Sequence, residues 1–401
     1  MSNIKGKSPF YPGQPVPIEL FSGRIEEIQR IVKVIGQVEL GKPQAIFLTG
    51  EYGIGKSSLA GFMRYYAETK HNILGIHVFL GGAQTLEDVT TKIVETVIKS
   101  QAYKPTVTEK IRNFLSKYIG KQEFYGFSIN FDALKADGLN ISRGFLPFLG
   151  DLLERVKSED IKGIMLIIDE INGITENVQF AHFVKSLVDE NALSRTPLPL
   201  LLMFCGVDER RREMIRHHQS IERIFEIVEI KPMNESETRD FFKKAFSSVD
   251  IKIEDKAMAN LCHYSTGFPK VMHIIGDFIF WIDQDNIVTQ DDVINGILLA
   301  TQSIGQKFVD HKVYNSLRSK DYRSILTKLG KKGFDLSFKK EIIEKELTEV
   351  EKKKFNNFLQ RMKKLNVLKS GDESGEYIFT NRIIRLYIYL NSVKRGGKGF
   401  K

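Results

Sequence analysis

Hydrophobic positions along the first 230 residues follow two alternating patterns. Over about 25–38 the apolar residues recur at helical spacing, which predicts a helix whose inner face carries Ile25, Ile28, Ile31, Val32, Ile35 and Val38. Continuous apolar runs then predict five strands, at 44–50, 72–82, 163–169, 197–206 and 226–230. Helical patterns separate these runs, so we expect a parallel sheet covered by helices on both faces. The less regular segment 104–150 includes FYGFSINFDAL (124–134), which predicts an inserted strand or hairpin.

After Pro232 the strand-like runs cease and the pattern becomes helical. Helices are predicted at about 234–248, 254–265, 269–283 and 289–300, and Asn234 and Thr289 are placed to cap the first and the last. From about 311 the pattern predicts helices at 321–330, 339–347 and 349–364, then two strand-like runs around a turn in 366–380. Three helices and a β-hairpin are the layout of a winged helix-turn-helix.

The 401 residues are too many for one ordinary core. We expect an N-terminal arm (1–20), an α/β core (21–232), a helical lid (233–305) and a winged-helix domain (310–395). The arm is rich in Pro and Gly, which predicts that it is mobile or drapes over the surface. The sequence has no signal-peptide core and no apolar run of membrane-spanning length, so a cytoplasmic protein without a membrane partner is expected. Cys205 and Cys262 lie in apolar contexts typical of buried, reduced cysteines.

One stretch fits the phosphate-binding pattern G-x-x-x-x-G-K-[ST]. It comprises Gly50, Glu51, Tyr52, Gly53, Ile54, Gly55, Lys56 and Ser57, and Ser58 follows. A predicted strand precedes it and a predicted helix follows, as such a loop requires. The glycines let backbone N–H groups turn toward a phosphate, and a helix N-terminus favours negative charge. We expect Lys56 to reach the β- and γ-phosphates of ATP and Ser57 to bind Mg²⁺.

Two adjacent carboxylates end the third apolar run, in IMLIIDE. Ligands of open α/β sheets bind at the carboxyl ends of the strands, where Asp169 and Glu170 are expected to lie. Asp169 is placed to hold Mg²⁺, and Glu170 to orient and polarise the attacking water. Together with the loop, the pair predicts Mg²⁺-dependent ATP hydrolysis, with ATP and Mg²⁺ as cofactors.

The order of these parts resembles the AAA+ ATPases, in particular their origin-recognition and replication-initiator-like branch with its archaeal and bacterial relatives. Beside the two motifs above, the resemblance covers about residues 20–390. It rests on LFSGRIEEIQRI (20–31), HQSIERIFEIVEIKPMNESET (218–238), STGFPKVMHIIGD (265–277) and the C-terminal FLQRMKKLNVL and GEYIFTNRIIRLYI. It implies an AAA+ core, a helical lid and a C-terminal winged helix.

The resemblance also implies roles for single residues. Phe21, Gly23 and Arg24 would line the adenine end of the site, and Lys270 would be the sensor of the lid. Arg223 would enter a neighbouring subunit's site as an arginine finger, which implies an ATP-dependent homo-oligomer. Its competitors for that role are Arg210, Arg211, Arg212 and Arg216. The sensor at the end of the fourth strand would be Cys205 or Asp208, and since neither is the usual Asn, Ser or Thr, slow turnover is expected.

The net charge of +9 is concentrated at the C-terminal end. Residues 311–401 hold 23 Lys and Arg against 10 Asp and Glu, and the other 310 residues carry a net −4. This imbalance predicts DNA as a partner of 311–401, with phosphate contacts and modest sequence preference because lysines dominate helix 349–364. The leading hypothesis is an ATPase that acts as a nucleotide-dependent oligomeric switch on DNA, of the initiator, loader or regulator type. The alternatives are a signalling or defence NTPase whose winged helix docks a protein partner, and a nucleotide-binding scaffold with negligible turnover.

Overall fold

A computed structural model describes residues 5–99, 102, 104–115, 145–304, 317, 319–333, 335–365, 367–380 and 382–395. The chain divides into two compact units, which are described separately. The α/β unit is Pro15–Lys231, and the helical unit joins Met1–Gln14 with Pro232–Lys401. The strand or hairpin predicted at 124–134 lies outside the described residues.

The α/β unit alternates helices with strands, and the five predicted strands are confirmed. Its described elements are α1 (Ile25–Glu39), β1 (Gln44–Thr49), α2 (Lys56–Lys70), β2 (Ile73–Phe79), α3 (Leu86–Lys99), α4 (Pro105–Leu115), α5 (Phe145–Val156), β3 (Gly163–Asp169), α6 (Val178–Leu193), β4 (Leu200–Gly206), α7 (Asp208–His217) and β5 (Glu226–Glu229). Strand β4 begins three residues later than the apolar run that predicts it, because Pro197 and Pro199 interrupt the start of that run.

The five strands form one parallel sheet in the order β2-β3-β4-β1-β5. Every residue of β3 and β4 is buried. Since successive side chains of a strand point to opposite faces, both faces of the sheet are covered, as the continuous apolar runs predict. The carboxyl ends of all five strands lie at one edge. The loop after β1 and the acids at the end of β3 therefore meet there, with only the end of β4 between their two strands.

Helix α1 has the predicted bounds but a different inner face. The buried residues are Ile31, Val34, Ile35 and Val38, whereas Ile25 is 63% exposed. At about 100° per residue, Ile25 lies ~120° around the helix from Ile31. The true stripe therefore runs through positions 31, 34, 35 and 38, and the prediction that Ile25 packs inward is wrong.

The helical unit begins with the four predicted helices and contains more strand than expected. Its described elements are α8 (Glu235–Ser247), β6 (Lys252–Ile253), α9 (Asp255–Ser265), α10 (Pro269–Ile282), β7 (Ile287–Val288), α11 (Gln290–Ile304), α12 (Lys320–Gly330), β8 (Ser337–Lys339), α13 (Lys340–Glu344), α14 (Glu349–Lys364), β9 (Leu368–Ser370), β10 (Glu376–Phe379) and α15 (Arg382–Arg395). The expectation that strands cease after Pro232 is wrong, since β6 and β7 pair in parallel. Each of these two strands has only two residues, which is too few to form a recognisable apolar run in the sequence.

The last part of the helical unit surrounds a small antiparallel sheet. Its order is β8-β10-β9, so the hairpin predicted at 366–380 gains a third strand from the segment before α13. Thr348 and Glu351 form a reciprocal capping box at the start of α14. The side of α14 that faces the core carries Phe355, Phe358, Leu359 and Met362, as its spacing predicts.

The N-terminal arm is anchored on the helical unit by an aromatic side chain. Phe10 is 4% exposed, and its ring meets that of Phe246 edge-on at a centroid distance of 4.9 Å. Gly276 faces this ring so closely that an added Cβ would lie 2.3 Å from a ring carbon. Ser8 Oγ also donates to Asp277 Oδ1 at 2.6 Å, and the backbone N–H of Tyr11 donates to His273 Nδ1 at 3.1 Å. The arm was expected either to be mobile or to drape over the surface, and the described residues 5–14 drape over the helical unit.

Two expectations from composition have simple outcomes. Both cysteines are free thiols. Cys205 is buried as expected, whereas Cys262 is only half-buried. No helix among the described residues has the length and hydropathy needed to cross a membrane.

Candidate functional site

The loop after β1 has the backbone that a phosphate site requires. Gly50, Gly53 and Gly55 have φ values of 153°, 89° and 101°, which other residues rarely adopt. A Cβ at Gly50 would also lie 2.8 Å from the carbonyl oxygen of Ile230, so space excludes a side chain there. Helix α2 begins at Lys56, directly after Gly55. The loop therefore opens onto a helix N-terminus, which favours an anion.

Lys56 lies against the loop rather than in solvent. Its Nζ donates to the carbonyl oxygens of Gly50 and Glu51, at 2.9 Å each. Burial lowers the pKa of Lys56, and the nearby Cys205 and Asp169 act in the opposite direction. An ammonium held by neutral carbonyls keeps its charge available for a phosphate oxygen.

The two serines after Lys56 have different surroundings. Ser57 is half-buried, in the first turn of α2. Ser58 Oγ accepts a hydrogen bond of 3.2 Å from the backbone N–H of Val16, just before the short helical turn Ile18–Leu20. Tyr52 is 64% exposed within the loop. Ser57 thus stays the candidate Mg²⁺ ligand, whereas the Ser58 hydroxyl helps to fix the segment that precedes α1.

The two predicted acids lie at the end of β3 and differ in exposure. Asp169 is 2% exposed, and its Oδ1 accepts from the backbone N–H of Glu170 at 2.8 Å. Glu170 is exposed and has a left-handed φ of 55°. Its carboxylate lies over Gly81, where an added Cβ would be 2.7 Å from Oε2. This arrangement holds one carboxylate in the protein and presents the other at the edge of the sheet.

A histidine that the sequence analysis does not single out completes this edge. His77 Nε2 lies 3.1 Å from Asp169 Oδ2. His77 pairs in register with Ile167 on β3, so its side chain lies on the same face as that of Asp169, two residues further on. The sequence offers one indication of this residue, because a single histidine interrupts the largely apolar run NILGIHVFLGG.

The two candidates for the sensor after β4 have different surroundings. Cys205 is fully buried on β4, and burial raises the pKa of its thiol. Cys205 pairs in register with Leu48 of β1, two residues before the loop begins at Gly50. Asp208 begins α7, and its carboxylate accepts from Arg211 at 2.9 Å and from Arg212 at 2.6 Å. The structure thus brings Cys205 to the phosphate loop, while Asp208 is engaged by the arginines of its own helix.

Most of the arginines that compete for the finger role are engaged within the chain. Arg210 is bonded to Glu213 at 2.8 Å, and Arg211 and Arg212 share Asp208. Arg223 ends the short helix Gln219–Arg223 and is exposed. Neither it nor the exposed Arg216 forms an ion pair within the described residues. The finger role of Arg223 stays a prediction.

Arg24 reaches the phosphate loop through backbone groups. It is 4% exposed and left-handed, with a φ of 67°. Its Nη2 donates to the carbonyl of Ile54 at 3.1 Å, and its Nη1 donates to the carbonyl of Lys231. Nearby, Phe21 stacks on Phe62 with ring centroids 4.6 Å apart. That Phe21 and Arg24 line the adenine end stays a prediction.

Lys270 belongs to the helical unit, in the first turn of α10. Burial lowers the pKa of its ammonium. Its predicted role as a sensor stays a prediction.

The residues at this edge of the sheet fit a nucleotide with Mg²⁺. The three glycines of the loop have positive φ values, and the candidate metal donors at this edge are a hydroxyl and carboxylates, the oxygen ligands that Mg²⁺ prefers. Within the described residues no group of three His, Cys, Asp or Glu side chains is arranged around a metal. That is compatible with Mg²⁺, which keeps several waters and takes further ligands from phosphates.

Comparisons with known proteins agree with this geometry. The model of the KAP family P-loop domain matches residues 24–368. The structure of the Walker-type ATPase PABY2304 of Pyrococcus abyssi is similar, with a TM-score of 0.54 and 17% identity over 92% of this chain and 96% of that chain. The Aeropyrum pernix ORC2 protein in its ADPNP–ADP complexes gives a TM-score of 0.52 and 11% identity, over 94% and 95% of the two chains. A search of curated protein sequences gave no match. At these identities the structural likeness establishes the fold alone, an α/β P-loop NTPase with a five-stranded parallel sheet.

Proposed function

The chain belongs to the KAP family of P-loop NTPases, and on that basis we propose that it is an Mg²⁺-dependent ATPase whose nucleotide state controls its self-assembly on DNA. The observation that carries the ATPase part is the shared edge of the sheet. There a loop with three positive-φ glycines and Lys56 lies at the same edge as Asp169 and Glu170.

Each residue of the site has a separate task in this proposal. The loop N–H groups and Lys56 bind the β- and γ-phosphates, while Ser57 and Asp169 would hold Mg²⁺, which would supply charge neutralisation at the phosphates. His77 fixes the orientation of the Asp169 carboxylate. Glu170, exposed at the strand end, orients the attacking water and polarises it. Arg223 of a neighbouring subunit stabilises the charge that develops during transfer.

Two variants and a control test the ATPase part. Lys56→Ala is expected to lose ATP binding, because the loop loses its cation. Glu170→Gln is expected to bind ATP yet hydrolyse it about 10²- to 10⁴-fold more slowly, since an amide cannot accept the proton. Glu176→Gln, six residues further along the chain, removes a 72% exposed carboxylate whose ion partner is Arg210 at 3.5 Å, and it is expected to keep the parent rate. Equal turnover by the parent and Glu170→Gln would refute the role of Glu170.

For the C-terminal segment we propose a winged helix. The arrangement that supports this is α12, β8, α13 and α14 followed by the hairpin β9–β10, with β10 central in the three-stranded sheet. In a winged helix the third helix enters the major groove, and α14 holds that position in the order.

The outward side of α14 supports DNA as its partner. Lys353 in the second turn and Lys364 at the last position are exposed, and Asn357, Gln360 and Arg361 are exposed between them. Lysines suit phosphates, whereas Asn, Gln and Arg can bond to base edges in pairs. We therefore expect more sequence preference than the lysine content alone predicts.

The other lysines of the segment favour the alternative partner. Many of them are paired with carboxylates: Lys328–Glu351, Lys332–Glu346, Lys339–Glu373, Lys352–Glu349 and Lys354–Asp321. These pairs reduce the positive charge that a polyanion would meet. The specific alternative is that the segment docks a protein and the nucleotide state signals to it, and a salt titration of DNA binding separates the two.

A further inference from the structure

The phosphate loop is joined at several points to the segment through which the chain leaves the α/β unit. The backbone N–H of Ile230 donates to the carbonyl of Thr49 at 2.8 Å, just before the loop begins. Gly50 lies so close to the carbonyl of Ile230 that no side chain would fit. Lys231 is the last residue of the α/β unit, and Pro232 begins the second segment of the helical unit. The start of the loop and the exit of the unit are thus in direct contact.

Arg24 adds a contact to the middle of the loop. Its guanidinium donates through Nη2 to Ile54, between the second and third loop glycines, and through Nη1 to Lys231. A further ion pair at 3.5 Å joins Nη1 to Glu27. A single side chain therefore connects a carbonyl of the phosphate loop with a carbonyl of the exit segment.

We propose that Arg24 is a positioning residue that couples the state of the phosphate loop to the exit segment, residues 230–231. When phosphate draws the loop N–H groups inward, the carbonyl of Ile54 changes its place, and the guanidinium transmits that change to Lys231. The chain then passes it to Pro232 and the helical unit. This inference rests on the proposed nucleotide binding, and it gives Arg24 a task that needs no contact with the adenine.

The chemistry of the side chain supports this role. A guanidinium is planar and rigid, and its separate nitrogens address two acceptors at fixed directions. A lysine ammonium carries its three donors on one nitrogen, so it lacks the two separate nitrogens with which Arg24 reaches Ile54 and Lys231. Arg24 also holds a left-handed backbone, which is strained in a residue other than glycine and persists where its surroundings fix it.

Arg30 supplies a matched control on the same helix. Its Nη2 donates to the carbonyl of Ile227 on β5 at 2.8 Å, and it pairs with Glu226 at 3.4 Å. Its side chain is 50% exposed, and these bonds lead to β5 rather than to the phosphate loop. Arg30→Lys therefore perturbs an arginine–carbonyl bond to β5, just before the exit segment, without touching the connection between loop and exit.

The experiment compares the parent, Arg24→Lys, Arg24→Met and Arg30→Lys by amide hydrogen exchange with and without Mg²⁺ and a non-hydrolysable ATP analogue. Peptides covering 48–58 report on the loop and peptides covering 226–236 on the exit. Binding of a fluorescent ATP analogue is measured on the same samples. In the parent and in Arg30→Lys the nucleotide is expected to slow exchange in both regions. In the two Arg24 variants slowing is expected in 48–58 only, with binding about tenfold weaker because a hydrogen bond behind the loop is lost.

The outcomes separate the inference from the function on which it rests. A parent that binds no nucleotide overturns both. A parent that binds it while 226–236 does not respond, or an Arg24→Lys protein that responds as the parent does, overturns the coupling alone. A purely structural arginine would change exchange equally with and without nucleotide, and that result also refutes the proposal. If Arg24→Lys does not fold, Glu27→Gln carries the test, with a partial loss of the response in 226–236 expected and a parental response contradicting it.

Discussion

If α14 binds DNA, removing two of its exposed positive charges should reduce the salt dependence of DNA binding by a predictable amount. The change is Lys353→Ala with Lys364→Ala, two exposed lysines that form no ion pair within the described residues. Each phosphate neutralised contributes about 0.9 to the slope of log K against log salt, so two contacts contribute about 1.8. Between 50 and 200 mM salt, a fourfold change, the parent is expected to lose about 12-fold more affinity than the double variant.

The measurement is fluorescence anisotropy of a labelled duplex across that salt range, with and without ATP. The matched control is Lys352→Ala with Lys354→Ala on the same helix, whose ammonium groups are already paired with Glu349 and Asp321. We expect the control to change the slope by less than about 1, because these lysines must release a carboxylate before they neutralise a phosphate. ATP is expected to tighten binding if assembly aligns several modules on one duplex.

Arg361 allows a second comparison on the same helix. If it contacts a base, Arg361→Ala is expected to bring the affinities for different duplex sequences together, at a cost of about 1–3 kcal/mol for the preferred one. Identical slopes and affinities of the parent and the Lys353/Lys364 variant at every salt concentration would refute DNA contact through α14. That result would promote the protein-docking alternative.

Three further predictions follow from single side chains. Arg223→Ala is expected to bind ATP normally and hydrolyse it slowly. Mixing it with Lys56→Ala protein should restore part of the activity through hybrid interfaces. A parent protein whose specific activity stays constant on dilution would contradict this. Gly276→Ala is expected to displace the Phe10 ring, which lies where the new Cβ would be, and to speed amide exchange in residues 8–12. Burial lowers the pKa of His273 from its ordinary value of 6.5 to about 4, so the neutral form is favoured in the fold. The neutral imidazole therefore contributes to the free energy of unfolding. This contribution is complete above pH 6.5, is lost as the pH falls toward 4, and amounts to at most about 3 kcal/mol. Calorimetry of the parent and His273→Gln between pH 7 and 5 checks this, and parallel curves would contradict it.

The phosphate loop and the two acids could be located in the sequence because their chemistry is local. A loop of eight residues with three glycines can be recognised from its own residues, although Arg24 and Ile230 contact it in the fold, and the pair Asp169–Glu170 is placed by the apolar run that it ends. The helix caps at Asn234 and Thr289 are equally local, since each bonds within three residues of itself. The position of the loop and of the two acids, and the two caps, agree with the sequence because short-range periodicity and hydrogen bonding determine them.

Contacts between distant segments could not be predicted in this way. His77 meets Asp169 across 92 residues, and Arg24 reaches Lys231 across 207. Neither spacing carries a periodic signal. The same limit applies to charge, because the count of lysines in 311–401 does not reveal that Lys354 is paired with Asp321.

The sequence by itself thus determined the alternation of strands and helices, the phosphate loop and the acids at the strand end. Only the tertiary structure decided the order of the strands, the histidine beside Asp169, the arginine between loop and exit, and which cations remain exposed. The physical reason is that backbone conformation and amphipathic spacing act over a few residues, whereas pairing depends on which surfaces meet when the sheet and helices close on their cores.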